Sequence, residues 1–171
     1  AVPANARLMR VEIEKRLEVL RAEAERSPFN RIEPGDKRLG IVTSAVAYTH
    51  VKEVFPEFAI LKLGFSNPLP LDLVRRFAAQ VDRLVVVEEL DPVIRDGLLT
   101  AGIPVERYKT ELSMMELNPT RVRALRHELL GDAPPTAAAT APIEVPALPT
   151  RPPVLCAGCS HRGVFHTLAR L

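Results

Sequence analysis

The chain has 171 residues, 47% of them hydrophobic and 26% charged, a size and balance that fit one domain, or one domain with appendages. With 23 basic residues against 21 acidic the formal charge is +2, so no basic excess is available to displace counterions and nucleic-acid binding is not expected. No apolar run approaches the ~20 residues needed to span a bilayer, the Arg/Glu-rich start is not that of a secretory leader, and two cysteines three positions apart are not a disulfide framework. A soluble, cytoplasmic protein with no membrane partner is the expectation.

Residues 5–26 read as one helix, with Met9, Ile13, Leu17, Leu20 and Ala24 on one face and pairs such as Glu12/Arg16 and Arg21/Glu25 at i,i+4. It is expected to lie as a surface helix on its own domain, the alternative being a helix that docks a partner or connects domains. Ser27-Pro28 ends it, because proline disfavours the α conformation in the residue before it. A connector follows to residue 37, with Pro34-Gly35-Asp36 as a turn signal.

From Arg38 short apolar runs alternate with amphipathic stretches. Strands are expected over 39–42, 58–63, 84–87 and 103–108, and helices over 45–54, 71–81, to about Thr100 from Asp91-Pro92, and from Asn118-Pro119 to Leu130. Asp91-Pro92 and Asn118-Pro119 each read as an N-cap followed by a proline at the first helical position, and Gly102 and Gly131 as helix stops. The β-branched run 84–87 has the character of a strand buried on both faces. This alternation predicts an α/β domain over 38–131, three layers around a mostly parallel sheet of four to five strands. No GxGxxG or GxxxxGK[ST] occurs, so neither the dinucleotide fingerprint nor the P-loop is present. Ligands on such sheets sit at the carboxyl ends of the strands, which here carry Thr43-Ser44, Gly64-Phe65-Ser66-Asn67 and Glu88-Glu89.

Residues 132–153 hold seven prolines among alanines and threonines and read as an extended linker. The missing initial Met, and the stop at Leu171 inside the apolar-periodic stretch Val164, Phe165, Leu168, Leu171, predict a piece of a longer protein. Residues 132–171 are expected to be mobile in such a piece.

The most chemical stretch is Cys156-Ala157-Gly158-Cys159-Ser160-His161-Arg162-Gly163, at the start of that last periodic run. Thiolates at a helix N-terminus are stabilised by the dipole, and Arg162 adds to that. An iron–sulfur cluster would use Cys156 and Cys159 plus two thiolates from elsewhere. A zinc site would strain, with His161 only two residues from Cys159. A CxxC redox pair would lack the preceding strand of a thioredoxin unit. A plain Gly-containing turn is the fourth possibility. Of the other polar residues, one of Glu88 and Glu89 is expected to face solvent and the other to accept backbone N–H bonds near the next helix start. His50 is expected at or near the surface, His127 solvated, and Met114-Met115 filling a gap in the core.

An ordered set of segments resembles a known family. Ser27-Pro28-Phe29-Asn30, Leu39-Gly40-Ile41-Val42-Thr43-Ser44 with Ala47-Tyr48, and Leu61-Lys62-Leu63-Gly64 with Pro68-Leu69-Pro70 come first. Val85-Val86-Val87-Glu88-Glu89-Leu90-Asp91-Pro92, Glu116-Leu117-Asn118-Pro119 and Arg151-Pro152-Pro153-Val154-Leu155-Cys156-Ala157-Gly158-Cys159, with His161-Arg162-Gly163-Val164-Phe165, complete it. They resemble the middle of the alpha subunits of indolepyruvate ferredoxin oxidoreductases, within the thiamine diphosphate-dependent 2-oxoacid:ferredoxin oxidoreductases. The family often has Gly where this chain has Ala45 or Met115, and Pro where it has Ala157 or Ser160.

The resemblance implies a transketolase C-terminal-like domain over 38–131 and, over 154–171, the start of the domain that binds thiamine diphosphate. It implies a parent enzyme that oxidatively decarboxylates aryl pyruvates to acyl-coenzyme A. Thiamine diphosphate, Mg2+ and [4Fe-4S] clusters would be its cofactors, and a beta subunit and ferredoxin its partners. Carried over by position, Gly158, Cys159, His161 and Arg162 approach the cofactor, and Cys156 and Cys159 match the CxGC that holds a cluster in related enzymes. The activating glutamate and the Gly-Asp-Gly magnesium motif fall outside these residues, so no catalytic residue, no bound cofactor and no turnover are expected here. The competing reading is a stand-alone α/β module that binds a small anion at the sheet edge, with CxxC as a redox or metal site.

Overall fold

The apolar runs become strands because each can bury both of its faces. The computed structural model describes residues 3–131 and 154–170, and the chain divides into two units, 1–135 and 136–171. The strands are β1 (Arg31–Glu33), β2 (Asp36–Ser44), β3 (Phe58–Leu63) and β4 (Leu84–Val87). They lie in the order β1-β3-β2-β4, with β3, β2 and β4 parallel and β1 antiparallel to β3. Leu39, Ile41, Ile60, Val85 and Val87 fall in one apolar cluster; Val42, Leu61, Leu63, Leu84 and Val86 fall in the other. That is the period of two of a pleated strand, doubled because both faces are covered.

The helices are α1 (Pro3–Arg26), α2 (Ala45–Val54), α3 (Leu71–Ala78), α4 (Val93–Thr100), α5 (Pro119–Leu130) and, in the second unit, α6 (His161–Leu168). Val51 of α2 and Val122 and Leu125 of α5 pack on the first face, joined by Phe55; Val74 and Phe77 of α3 and Leu98 of α4 pack on the second. The expected three-layer α/β arrangement is thus formed, with four strands. Each fully buried Leu, Ile, Val or Phe in these layers contributes about 1.5–3 kcal/mol relative to exposure. The expected linker over 132–153 lies outside the described residues.

Several local expectations are corrected. Residues 103–108 form no strand: Pro104 has no N–H to give a ladder. The Glu106 N–H reaches the Leu84 carbonyl at 2.7 Å, while the Tyr108 hydroxyl takes the Val86 carbonyl at 2.9 Å. Burial among these groups pushes the Tyr108 phenol up to about 12. Arg83 fixes the segment from the side, donating Nε and Nη2 to the two Glu106 oxygens at 2.7 and 2.6 Å.

The connector 27–37 contains a strand, β1, that the sequence did not signal. Its Glu33 accepts from the Tyr48 hydroxyl and Lys52 Nζ, both at 2.6 Å, and from Arg31 Nε at 3.1 Å. Burial pushes this carboxyl up, but the three donors outweigh it and bring it down to about 2.

The apolar stripe of α1 is not laid down along the domain. Met9, Ile13 and Leu20 are exposed, and Ala24, in the last turn, is the one of the five that is buried. Glu12 pairs with Lys15 and not with Arg16. Met114 and Met115 fill no gap in the core; Met115 is 81% exposed, at φ +63°. His127 is half-buried rather than fully solvated, its Nδ1 enclosed without a hydrogen-bond partner. Asn118 does cap α5, accepting from the Arg121 N–H at 3.1 Å, and Gly131 closes it at φ +71°.

Candidate functional site

The parallel strands end along one edge, and the order of connections opens a crevice there. From β2 the chain moves to β3 on one side, then crosses to β4 on the other, which makes the β2/β4 boundary a switch point of the kind that holds ligands. A cleft of about 930 Å³ lies at this edge. Residues 44–47, 66–69 and 88–89 contribute its loops, and Arg21, Ala22 and Glu25 of α1 form one side. The sequence-marked Ser44, Ser66-Asn67 and Glu88-Glu89 do meet there; Thr43 is fully buried instead, with Oγ1 lacking a partner.

Helix N-termini at such an edge are the usual anchorage for phosphates, through their free N–H groups and the positive end of the dipole. In this chain two of them are already occupied by its own carboxylates. Glu25 accepts from the Asp72 and Leu73 N–H groups at 2.9 and 2.7 Å, at the start of α3. Glu88 accepts from the Ile94 and Arg95 N–H groups at 2.7 and 2.9 Å, at the start of α4. Asp91, the expected cap of α4, makes no side-chain cap bond; the helix begins at Val93.

Burial pushes the Glu88 carboxyl above its ordinary value, against the pull of those two N–H groups. Neither glutamate of the pair is simply a solvent-facing group, since Glu89 accepts from the Leu117 N–H at 2.9 Å. The cleft is lined by five carboxylates, those of Glu25, Asp72, Glu88, Glu89 and Asp91, against the two arginines Arg21 and Arg75. This excess of carboxylates over guanidinium groups disfavours an anionic ligand.

The start of α2 borders the same cleft, and Ala45 there sits at φ +47°. A left-handed conformation costs a non-glycine residue about 1–2 kcal/mol, and Met115 is held likewise. Ala45→Gly is therefore expected to raise stability by roughly 0.5 kcal/mol, the strain relief less the entropy that glycine adds to the unfolded chain. A lower urea midpoint than that of the parent sequence would contradict the strain.

His50 is half-buried on α2. Glu25 and the buried Asn30 bind the α3 start and the loop after β3, contacts at the cleft's border that the sequence reading missed. No local signal could reveal them, because each acts on backbone 35 to 48 positions away.

In the second unit all the sequence-marked residues fall on one turn and the first turn of α6. The Cys159 N–H donates to the Cys156 carbonyl at 3.1 Å, with Gly158 at φ +78° between them. Cys156 is exposed and Cys159 half-buried, and Cys159 Sγ lies 3.4 Å from His161 Nδ1. The Arg162 N–H closes on the Cys159 carbonyl at 3.1 Å. Among the described residues no group of three or more His, Cys, Asp or Glu stands together as a metal site. Nor, among them, is any helix long and apolar enough to cross a membrane.

No family model matches the chain, and no solved structure does. Curated proteins do match it over 99% of its length. One is an indolepyruvate oxidoreductase subunit IorA from Methanothermobacter thermautotrophicus, 35% identical over 182 residues. IorA subunits from Archaeoglobus fulgidus and Thermococcus kodakarensis are each 30% identical over 182 and 185 residues. The chain spans 29% of the length of each of these relatives.

Proposed function

Since likeness over 99% of its length makes this chain a member of the family of indolepyruvate oxidoreductase IorA subunits, we propose that it is a structural and interface segment of such an oxidoreductase. The whole enzyme, on this reading, decarboxylates indolepyruvate and other aryl pyruvates oxidatively to acyl-coenzyme A, with ferredoxin as electron acceptor and a beta subunit as partner. Residues 38–131 correspond to a transketolase C-terminal-like domain. Residues 154–171 begin the part that binds thiamine diphosphate, with Gly158, Cys159, His161 and Arg162 toward the cofactor and Cys156 and Cys159 toward a [4Fe-4S] cluster.

The observation that carries the interface role is the cleft whose helix N-termini are filled by Glu25 and Glu88. A stand-alone anion-binding module would leave those N–H groups for its ligand. Carboxylates in their place rigidify the edge and favour contact with protein over capture of a phosphate.

The described residues complete neither cofactor site. Cys156 and Cys159 are two of the four thiolates a cluster takes, and no carboxylate stands with them as a magnesium ligand would. When bound, thiamine diphosphate supplies the electron sink for decarboxylation. No step is assigned to this chain's residues, which serve to position.

Calorimetric titration of the 171-residue chain with millimolar thiamine diphosphate and Mg2+ is expected to give no saturable heat. A saturable heat would place the binding groups within the segment. Phosphate-dependent amide shifts at residues 72–73 or 94–95 would instead support the anion-binding module.

A further inference from the structure

Helix α1 carries an apolar seam that its own unit covers only at one end. Ile13, Leu17, Leu20 and Ala24 recur four, three and four residues apart, the 3.5-residue repeat by which one helix packs along another. Ala24 is buried and Leu17 half-buried, but Ile13 and Leu20 are exposed, as are Leu8, Met9 and Val11 earlier in the helix. The unit grips the last turn, through Glu25 at the start of α3 and Asn30 at the Ala24 carbonyl. The ion pairs Arg10–Glu14, Lys15–Glu12 and Arg26–Glu23 stay within the helix. Among the described residues Arg16 and Arg21 have no ion pair.

The charges beside the seam select what can cover it. With Leu17 at heptad position a and Leu20 at d, Glu14 and Arg21 fall at e, and Arg16 and Glu23 at g. Two identical helices packed in parallel would set g against e, placing Arg16 opposite Arg21 on both sides. Packed antiparallel, they set e against e and g against g. With Leu17 of each helix against Leu20 of the other, Glu14 then meets Arg21 and Arg16 meets Glu23. Two-fold symmetry makes each of these pairs twice. Sliding the helices by one heptad sets Arg16 against Arg16 in one direction and Arg21 against Arg21 in the other. One register therefore pairs all the flanking charges, and the alternatives repel.

We propose that a second copy of this chain covers α1, the two helices lying antiparallel in that register to form a two-fold dimer. The two Leu17–Leu20 contacts make its centre, and Ile13 reaches the turn that holds Ala24. Residues 3–12 of each helix pass over the other copy's unit, which gives Leu8, Met9 and Val11 a surface to cover. The cleft with its excess of carboxylates is walled by Arg21, Ala22 and Glu25 of that same part of α1. The overhanging start of the second helix brings Arg7 and Arg10 there, with no acidic residue before Glu12. Neither a cofactor nor a reaction is involved, so a failed dimer would leave the oxidoreductase reading as it stands.

Sedimentation equilibrium of the 171-residue chain over about 1–500 µM should show a monomer–dimer equilibrium. Leu20→Glu puts a charge into the seam from an exposed position. It should weaken the dimer at least about tenfold, with the urea midpoint of the monomer unchanged. Glu14→Arg and Arg21→Glu each turn two attractive contacts into repulsive ones, and each alone should weaken the dimer about tenfold. Mixed in equal amounts, these two variants should form a heterodimer as tight as the parent dimer, because opposite charges face each other again at both ends.

A monomer at every concentration, a Leu20→Glu variant that dimerises like the parent, or a mixture no tighter than either charge variant alone would each overturn the proposal. So would a dimer tightened by Arg21→Glu, the mark of parallel helices, in which Arg16 would gain a carboxylate partner.

Discussion

Gly35→Ala is expected to lower the stability of the sheet unit by about 3 kcal/mol, or to prevent it from folding, as the cost of overpacking against atoms that cannot move. A Cβ at Gly35 would lie 2.4 Å from both the carbonyl carbon and oxygen of Phe58 and 2.7 Å from the Ala59 nitrogen. These are backbone atoms at the start of β3, which is paired on one side with β1 and on the other with β2. The Asp36 N–H to Glu57 carbonyl bond, at 2.7 Å, ties the neighbouring residue to the same place. Relief would require the β1–β2 link to lift off the sheet. The unfolded-chain benefit of removing a glycine, about 0.4–1 kcal/mol, is too small to compensate.

Gly102→Ala makes the control, since a Cβ there meets nothing within 4 Å and only the φ of +74° opposes it. Its expected loss is about 1 kcal/mol. Urea denaturation of the two variants side by side decides the matter: equal losses would mean that the close approach at Gly35 is not what the site depends on.

Asn30→Ala is the second large loss, about 2–4 kcal/mol, from three hydrogen bonds and the orphaned groups they leave. Asn30 is 9% exposed. Its Nδ2 donates to the Ala24 carbonyl at 2.9 Å and the Phe65 carbonyl at 2.8 Å, and its Oδ1 accepts from the Phe65 N–H at 2.7 Å. One side chain thus joins the last turn of α1 to the loop after β3. That loop continues into residues 66–69, which line the cleft.

Asn30→Asp separates the terms. It retains the acceptor for the Phe65 N–H but turns both donor bonds into contacts between oxygens. It should therefore destabilise at least as much as alanine at neutral pH. Amide exchange at Phe65 should accelerate in both variants. A loss under about 1 kcal/mol for Asn30→Ala, with Phe65 still protected, would show that the loop is held by other means.

The layered α/β architecture was legible from local pattern because burial leaves a period. The run 84–87 reads as doubly buried and is so, and α5 reads correctly at both ends, from Asn118 to Gly131, because its cap and stop act within one turn. The CxxC turn, too, could be located from spacing alone. By contrast β1 is too short to show a period. Residues 103–108 have strand composition but include Pro104, and the Tyr108 hydroxyl stands where a ladder bond would. The stripe of α1 predicts burial that the described unit does not supply.

For the cleft, the sequence marked the strand ends but not what fills them. Glu25 reads as an i,i+4 partner of Arg21, yet its oxygens hold the start of α3, 47 and 48 positions onward. Glu88 caps a helix six and seven residues away, over Asp91-Pro92, the local pair that looked like the cap. What the sequence by itself determined is which side chains of β2–β4 and their covering helices turn inward, since that depends on neighbours two to four positions apart. What only the tertiary structure decided is which backbone groups those carboxylates satisfy and which glycines have no room for a Cβ. Both depend on distances between segments far apart along the chain, and no local pattern encodes them.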